Sequence, residues 1–111
     1  MNSTTSNCVF CKIIKRELPC SPIFEDEDII AFHDIHPKAD VHFLVIPKQH
    51  IESMLVMQEG HQNLVGKIMF KASQIAKNLG LEGYKVAINN GVSGGQEVFH
   101  LHVHILGTLL K

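Results

Sequence analysis

Three of the chain's eight histidines fall within five residues, in the run Phe99-His100-Leu101-His102-Val103-His104-Ile105-Leu106. Strict alternation of this kind reads as a β-strand, so His100, His102 and His104 share one face at intervals of about 6.6–6.8 Å. Leu101, Val103 and Ile105 then point into a core, and the buried face fixes the register. Three chemistries fit such a row. It can be a plain polar face. It can be part of a metal site, because histidines at i and i+2 on a strand can grip one ion with a third ligand elsewhere. Or one imidazole can be a nucleophile that its neighbours orient, since imidazole is largely free base near neutrality yet still supplies protons. The preceding Gly94-Gly95-Gln96-Glu97-Val98 bears on the choice. Glycines let backbone N–H groups approach an anion and form a phosphate nest. A phosphate cradle joined to a row of imidazoles is the most specific signal in the chain.

The cysteines are the second chemical feature. Cys8-Val9-Phe10-Cys11 reads as a metal half-site or a redox pair rather than as a disulfide framework. Cys20, after Pro19, reads as a packing residue. The polar residues 1–7 lack an apolar leader segment, and no apolar run approaches the ~20 residues that span a bilayer. The expectation is a cytoplasmic protein with reduced thiols and no membrane partner.

These groups must be held by one domain. The chain has 111 residues, 45% hydrophobic and 19% charged, with a formal net charge of −1. By surface scaling, a chain of this size buries roughly two-thirds of its unfolded surface. Arg16 is the sole arginine and no basic run exists, which argues against a nucleic acid polymer as partner. Residues 1–7 read as a flexible tail and 8–111 as a single domain. A short helix is expected from Cys8 to Arg16. Ile23–Glu25 and Ile29–Phe32 flank the acidic turn Asp26-Glu27-Asp28 as a hairpin. His42–Ile46 reads as a central strand buried on both faces. Leu64, Ile68, Ala72, Ile75 and Leu79 form the apolar stripe of a long helix over Glu59–Leu79, stopped at Gly80. Tyr84–Ile88 and Phe99–Leu106 are the last strands. The class is α+β, with a mainly antiparallel sheet and one long helix packed on it.

His100-Leu101-His102-Val103-His104-Ile105-Leu106, with Phe24-Glu25-Asp26, Ala31-Phe32-His33-Asp34-Ile35, His42–Lys48 and Gly94-Gly95-Gln96, strongly resembles the histidine triad superfamily, in particular its Hint branch. The resemblance covers Cys8 to Gly107. It implies a five-stranded sheet with one long and one short helix, and hydrolysis of the P–N bond of purine nucleoside 5′-phosphoramidates. By the family pattern His102 is the nucleophile that forms a covalent nucleotidyl-histidine. His104 meets phosphate oxygens and helps protonate the leaving amine. His100 and His42 complete the cluster and keep the nucleophile's tautomer. Amides near Gly95, Glu97 and Val98 meet the phosphate and stabilise its charge. Asp34 takes the ribose hydroxyls, with a turn role as its plain alternative. Phe10, Ile13, Phe32 and Ile35 line the base slot, and Asn89 lies by the phosphate or leaving group. No catalytic cofactor is implied. His33, His36 and His61 carry no expected role.

Where a bacterial-type relative keeps Cys-x-x-Cys, the resemblance further implies a structural zinc held by Cys8, Cys11, His50 and His100. It also implies a homodimer joined through the long helix and a neighbouring strand. Two departures stand out. Hint proteins often carry Ser where this chain has Glu97, and the chain stops at Lys111, without the C-terminal tail by which some relatives reach the partner's site. Three other readings remain open at this level: dinucleoside polyphosphate hydrolysis as in the Fhit branch, nucleotide binding with little catalysis, and a zinc hydrolase that uses the triad as metal ligands.

Overall fold

A computed structural model describes residues 7–109. Apart from Asn7, the tail expected over residues 1–7 lies outside the described residues. Helix α1 spans Val9–Ile14 and starts at Cys8, whose Sγ accepts the Cys11 N–H at 3.4 Å. Strand β1 (Phe24–Glu25) and β2 (Ile29–His33) form the expected hairpin. Its turn is closed by Asp26, whose Oδ1 accepts the N–H groups of Asp28 and Ile29. Strand β3 (Val41–Pro47) follows, then a long connection with single 3-10 turns at Met54–Val56 and Glu59–His61. Helix α2 runs Gln62–Asn78, so the first residues of the expected helix form the tighter turn instead. Strands β4 (Lys85–Ala87) and β5 (Val103–Gly107) complete an antiparallel sheet of order β1-β2-β3-β5-β4.

Strand β3 is buried along its whole length because it is central and both faces of the sheet are covered. Phe43 and Val45 face α2, meeting Ile68, Ala72, Ile75 and Ala76 with Ile29, Ala31, Val103 and Ile105. Leu44 and Ile46 face the opposite way, onto Cys8, Phe10 and Cys11 of the α1 segment with Ile30 and Phe32. Each such side chain, fully buried, contributes about 1.5–3 kcal/mol. The helix stripe read from the sequence is thus the core stripe.

The last strand differs from expectation: it begins at Val103, not Phe99. Val45 pairs Val103, so continuing that register would set Leu101 against Pro47, which has no N–H to give. The Leu101 N–H instead donates to Ile51 O at 2.7 Å, and the Pro47 carbonyl accepts from the His100 ring. His100 and His102 therefore stand on an extended segment ahead of the strand, and only His104 is on the strand itself. The expected burial of Leu101, Val103 and Ile105 holds.

Candidate active site and metal centre

The face of the sheet beside α1 carries a cleft of about 760 Å³, within the size range of small-molecule sites. Its floor is His42 and Leu44 of β3, His104 and Leu106 of β5, and His102 just ahead of β5. Above β2 stand Phe32 with Phe10 and Ile13 of α1, and Ile35 at the rim. Asp34 follows β2. On the other side lie Asn89, Gly95, Glu97 and Val98. All nine residues expected around a nucleotide border this one cleft. His33 and His36 also border it, as does Cys20, which packs against the α1 cluster. His61 instead accepts the Gln58 N–H through Nδ1.

Three imidazoles have fixed proton positions. The Lys38 N–H donates to His42 Nδ1 at 3.2 Å, so neutral His42 carries its proton on Nε2. That Nε2–H lies 3.0 Å from His104 Nδ1, which must accept. His104 therefore carries its proton on Nε2, a buried atom with no partner among the described residues. His102 is set the opposite way. Its Nδ1–H donates to the His100 carbonyl at 2.7 Å, leaving the Nε2 lone pair bare. The His102 and His104 rings are 4.8 Å apart, and Phe10 stands edge-on to His102 at 5.0 Å. Burial pushes the pKa of His42 and His102 down, and that of His104 down to about 4. The cluster is thus neutral near pH 7, presenting one bare nitrogen and one unmet N–H side by side.

Asp34 has the turn role weighed for it, and its second carboxylate oxygen faces the histidine cluster. Its Oδ1 accepts the His36 N–H in a turn, and its Oδ2 lies 3.4 Å from His42 Nε2 on the cleft wall. The glycine loop needs one correction. The Gly95 N–H is used inside the turn, donating to Val92 O, so of the three expected amides those of Glu97 and Val98 are without a partner among the described residues. Gly95 itself sits at φ 85°, a left-handed conformation that suits glycine. Gln96 locks the loop: its buried side chain accepts from Gly91 N–H and donates to Glu52 O and Val98 O. Sequence reasoning missed that clamp. It also missed the His100 carbonyl and the Lys38 amide, because backbone partners leave no trace in residue type.

His100 departs from half of its expected role. Its ring does not border the cleft; it is fully buried among Cys8, Cys11 and His50. Its Nε2–H donates to Pro47 O at 2.8 Å, which turns the Nδ1 lone pair toward that group. Nδ1 lies 3.4 Å from Cys8 Sγ, 3.6 Å from Cys11 Sγ and 3.2 Å from His50 Nδ1, and Cys11 Sγ is 3.2 Å from His50 Nδ1. Tetrahedral zinc, with bonds of about 2.0–2.3 Å, separates its donors by roughly 3.3–3.8 Å. The four donors thus fit that ion. Burial and the adjacent Cys8 push the Cys11 thiol up to about 11, so in the absence of a cation it stays protonated.

Comparison with known proteins agrees with this arrangement. The chain belongs to the histidine triad superfamily: a family model described as "Scavenger mRNA decapping enzyme C-term binding" matches residues 7–111. Protein HitA of Neisseria gonorrhoeae is 50% identical over 103 residues, covering 92% of this chain and 96% of its own. A maize protein named "14 kDa zinc-binding protein" is 45% identical over 105 residues, covering 92% and 82%. Among solved structures, a HIT family hydrolase from Clostridium thermocellum superposes with a TM-score of 0.88 at 50% identity, over 91% of this chain and 90% of that one. A HIT family hydrolase from Legionella pneumophila gives 0.88 at 43%, over 91% and 92%. Among the described residues no helix is long and apolar enough to cross a membrane.

Proposed function

We propose that the protein is a Hint-type hydrolase that cleaves the P–N bond of purine nucleoside 5′-phosphoramidates through a nucleotidyl-His102 intermediate. The observation that carries this reading is the opposed pair of tautomers, a bare His102 Nε2 beside an unmet His104 Nε2–H. The first is a nucleophile; the second is a donor for a phosphoryl oxygen or a departing nitrogen. The names of the Clostridium and Legionella relatives support the hydrolase class.

The base lies between Phe10, Ile13, Phe32 and Ile35, and the ribose hydroxyls bond to Asp34. The phosphate meets the amides of Glu97 and Val98 and the His104 Nε2–H. His102 Nε2 attacks phosphorus, the P–N bond breaks, and the amine leaves with a proton delivered by way of His104 and restored from solvent. The His100 carbonyl, already bonded to His102 Nδ1–H, stabilises the positive charge that the ring acquires. Water then attacks the same phosphorus and returns His102 to its free form. Asn89 stands on the leaving-group side with β4.

Cys8, Cys11, His50 and His100 would hold a structural zinc ion, which supplies a cross-link between α1 and the segment ahead of β5 and no reacting group. The maize relative's name supports this. The active unit is a homodimer. Val86 on the edge strand β4, Tyr84 just ahead of it, and Met69 and Phe70 on the outer face of α2 are exposed apolar side chains that a second copy would cover. The protein works in the cytoplasm.

The test is turnover of adenosine 5′-phosphoramidate against diadenosine tetraphosphate. Faster release of AMP from the phosphoramidate is expected. Preference for the dinucleotide would assign the Fhit-type activity. AMP binding with turnover of neither substrate would assign a nucleotide-binding role, with Glu97 on the phosphate loop as its cause.

A further inference from the structure

The Cys/His cluster and the cleft are different sites, yet they share one residue and one helix. The ring of His100 lies in the cluster, while its carbonyl accepts the His102 Nδ1–H at 2.7 Å. Phe10 stands between Cys8 and Cys11 on α1. Its ring meets His100 at 5.9 Å and His102 at 5.0 Å, both edge-on, and it forms part of the cleft wall. Two connections therefore leave the cluster for the cleft, one through a main-chain carbonyl and one through an aromatic ring.

From this geometry we infer that His100 is a positioning residue that couples the two sites: closing the Cys8–Cys11–His50–His100 cluster around a metal ion sets the His102 ring and Phe10 for nucleotide, and nucleotide in the cleft is felt at the cluster. The His100 ring is fully buried, so its side-chain torsions have little room to move apart from the backbone that carries the carbonyl. A rotation of the whole residue that carries its ring away from the thiolates therefore also shifts the carbonyl that holds His102 in its Nδ1–H form. Without that acceptor His102 can place its proton on Nε2, where the lone pair must be. The Pro47 carbonyl limits the rotation by holding His100 Nε2–H at 2.8 Å, so the cluster has few alternative arrangements. Coupling of this kind is reciprocal, because one free energy links both binding events.

This inference rests on the nucleotide reading of the cleft, and the experiment separates the two. The protein is loaded with cadmium-113, whose resonance responds to the geometry of its ligands, and titrated with AMP, with binding followed independently by calorimetry. The expected result is that AMP binds and the cadmium line moves as the cleft fills. His102→Ala keeps the cluster ligands but removes the carbonyl's partner, and in that variant at least half of the movement is expected to vanish. AMP bound with the line unmoved, or the full movement kept in His102→Ala, would overturn the coupling. Failure of AMP to bind the loaded protein would overturn the nucleotide reading instead. A chain that takes up no cadmium would overturn the cluster as a metal centre and the coupling with it.

Discussion

Proton placement separates His102 from His104, two residues of one type that present opposite atoms to the cleft. The His100 carbonyl gives His102 its bare Nε2, and the relay from the Lys38 amide through His42 gives His104 its outward N–H. Replacing His102 by Ala is expected to lower phosphoramidate turnover by roughly a thousandfold or more while the circular dichroism spectrum stays unchanged, since the residue acts with its neighbours as a unit. Acid should act on the same cluster. His104 titrates near 4 and His42 below its ordinary value, whereas both titrate near 6.5 in the unfolded chain. Between those values the unfolded chain binds more protons, so stability is lost as pH falls from about 6.5 towards 4. Urea midpoints at pH 7 and pH 5 measure this. A midpoint unchanged between them would mean that the imidazoles are not held neutral by burial.

At the scale of elements, the sequence is most legible where period and burial coincide. The α2 stripe, the β1–β2 hairpin and the wholly buried β3 all follow from apolar spacing. The start of β5 does not, because the alternation of Phe99–Leu106 continues through residues that leave the ladder. What ends the pairing is Pro47 on a different strand, 54 residues before Leu101 in the chain, and such long-range pairing leaves no local mark. The same holds for His100, whose alternation put it with the triad while its ring packs among the cysteines. That one set of residues would line a common cleft was legible through motif resemblance, but the Gln96 clamp and the commitment of the Gly95 amide needed three dimensions. Gly107 shows another long-range constraint. A Cβ there would lie 2.6 Å from Leu81 Cδ2 and 3.2 Å from Gly83 O. Gly107→Ala is expected to cost about 1–3 kcal/mol by overpacking. Adding Leu81→Ala should recover part of the loss in the same denaturation assay; no recovery would place the clash on the Gly83 backbone.

For the molecule as a whole, two covers on one sheet divide the labour. Helix α2 closes the core on one face, and α1 with its cysteines closes the other while leaving the cleft open beside it. The free edge of β4 and the outer face of α2 make the assembly testable by light scattering. The expected particle has twice the 12.4 kDa chain mass, and Val86→Lys with Phe70→Glu should return it to the monomer. A monomeric wild type would remove the dimer. Metal analysis of protein purified without chelator should find one zinc per chain, and chelation should lower the melting temperature. The nucleophile is tested most directly by mixing enzyme with excess adenosine 5′-phosphoramidate, quenching during turnover and weighing the peptides. The expected result is one adenylyl group on the peptide that holds His102, absent from His102→Ala. Full AMP release with no nucleotide on that peptide, at any quench time, would contradict it.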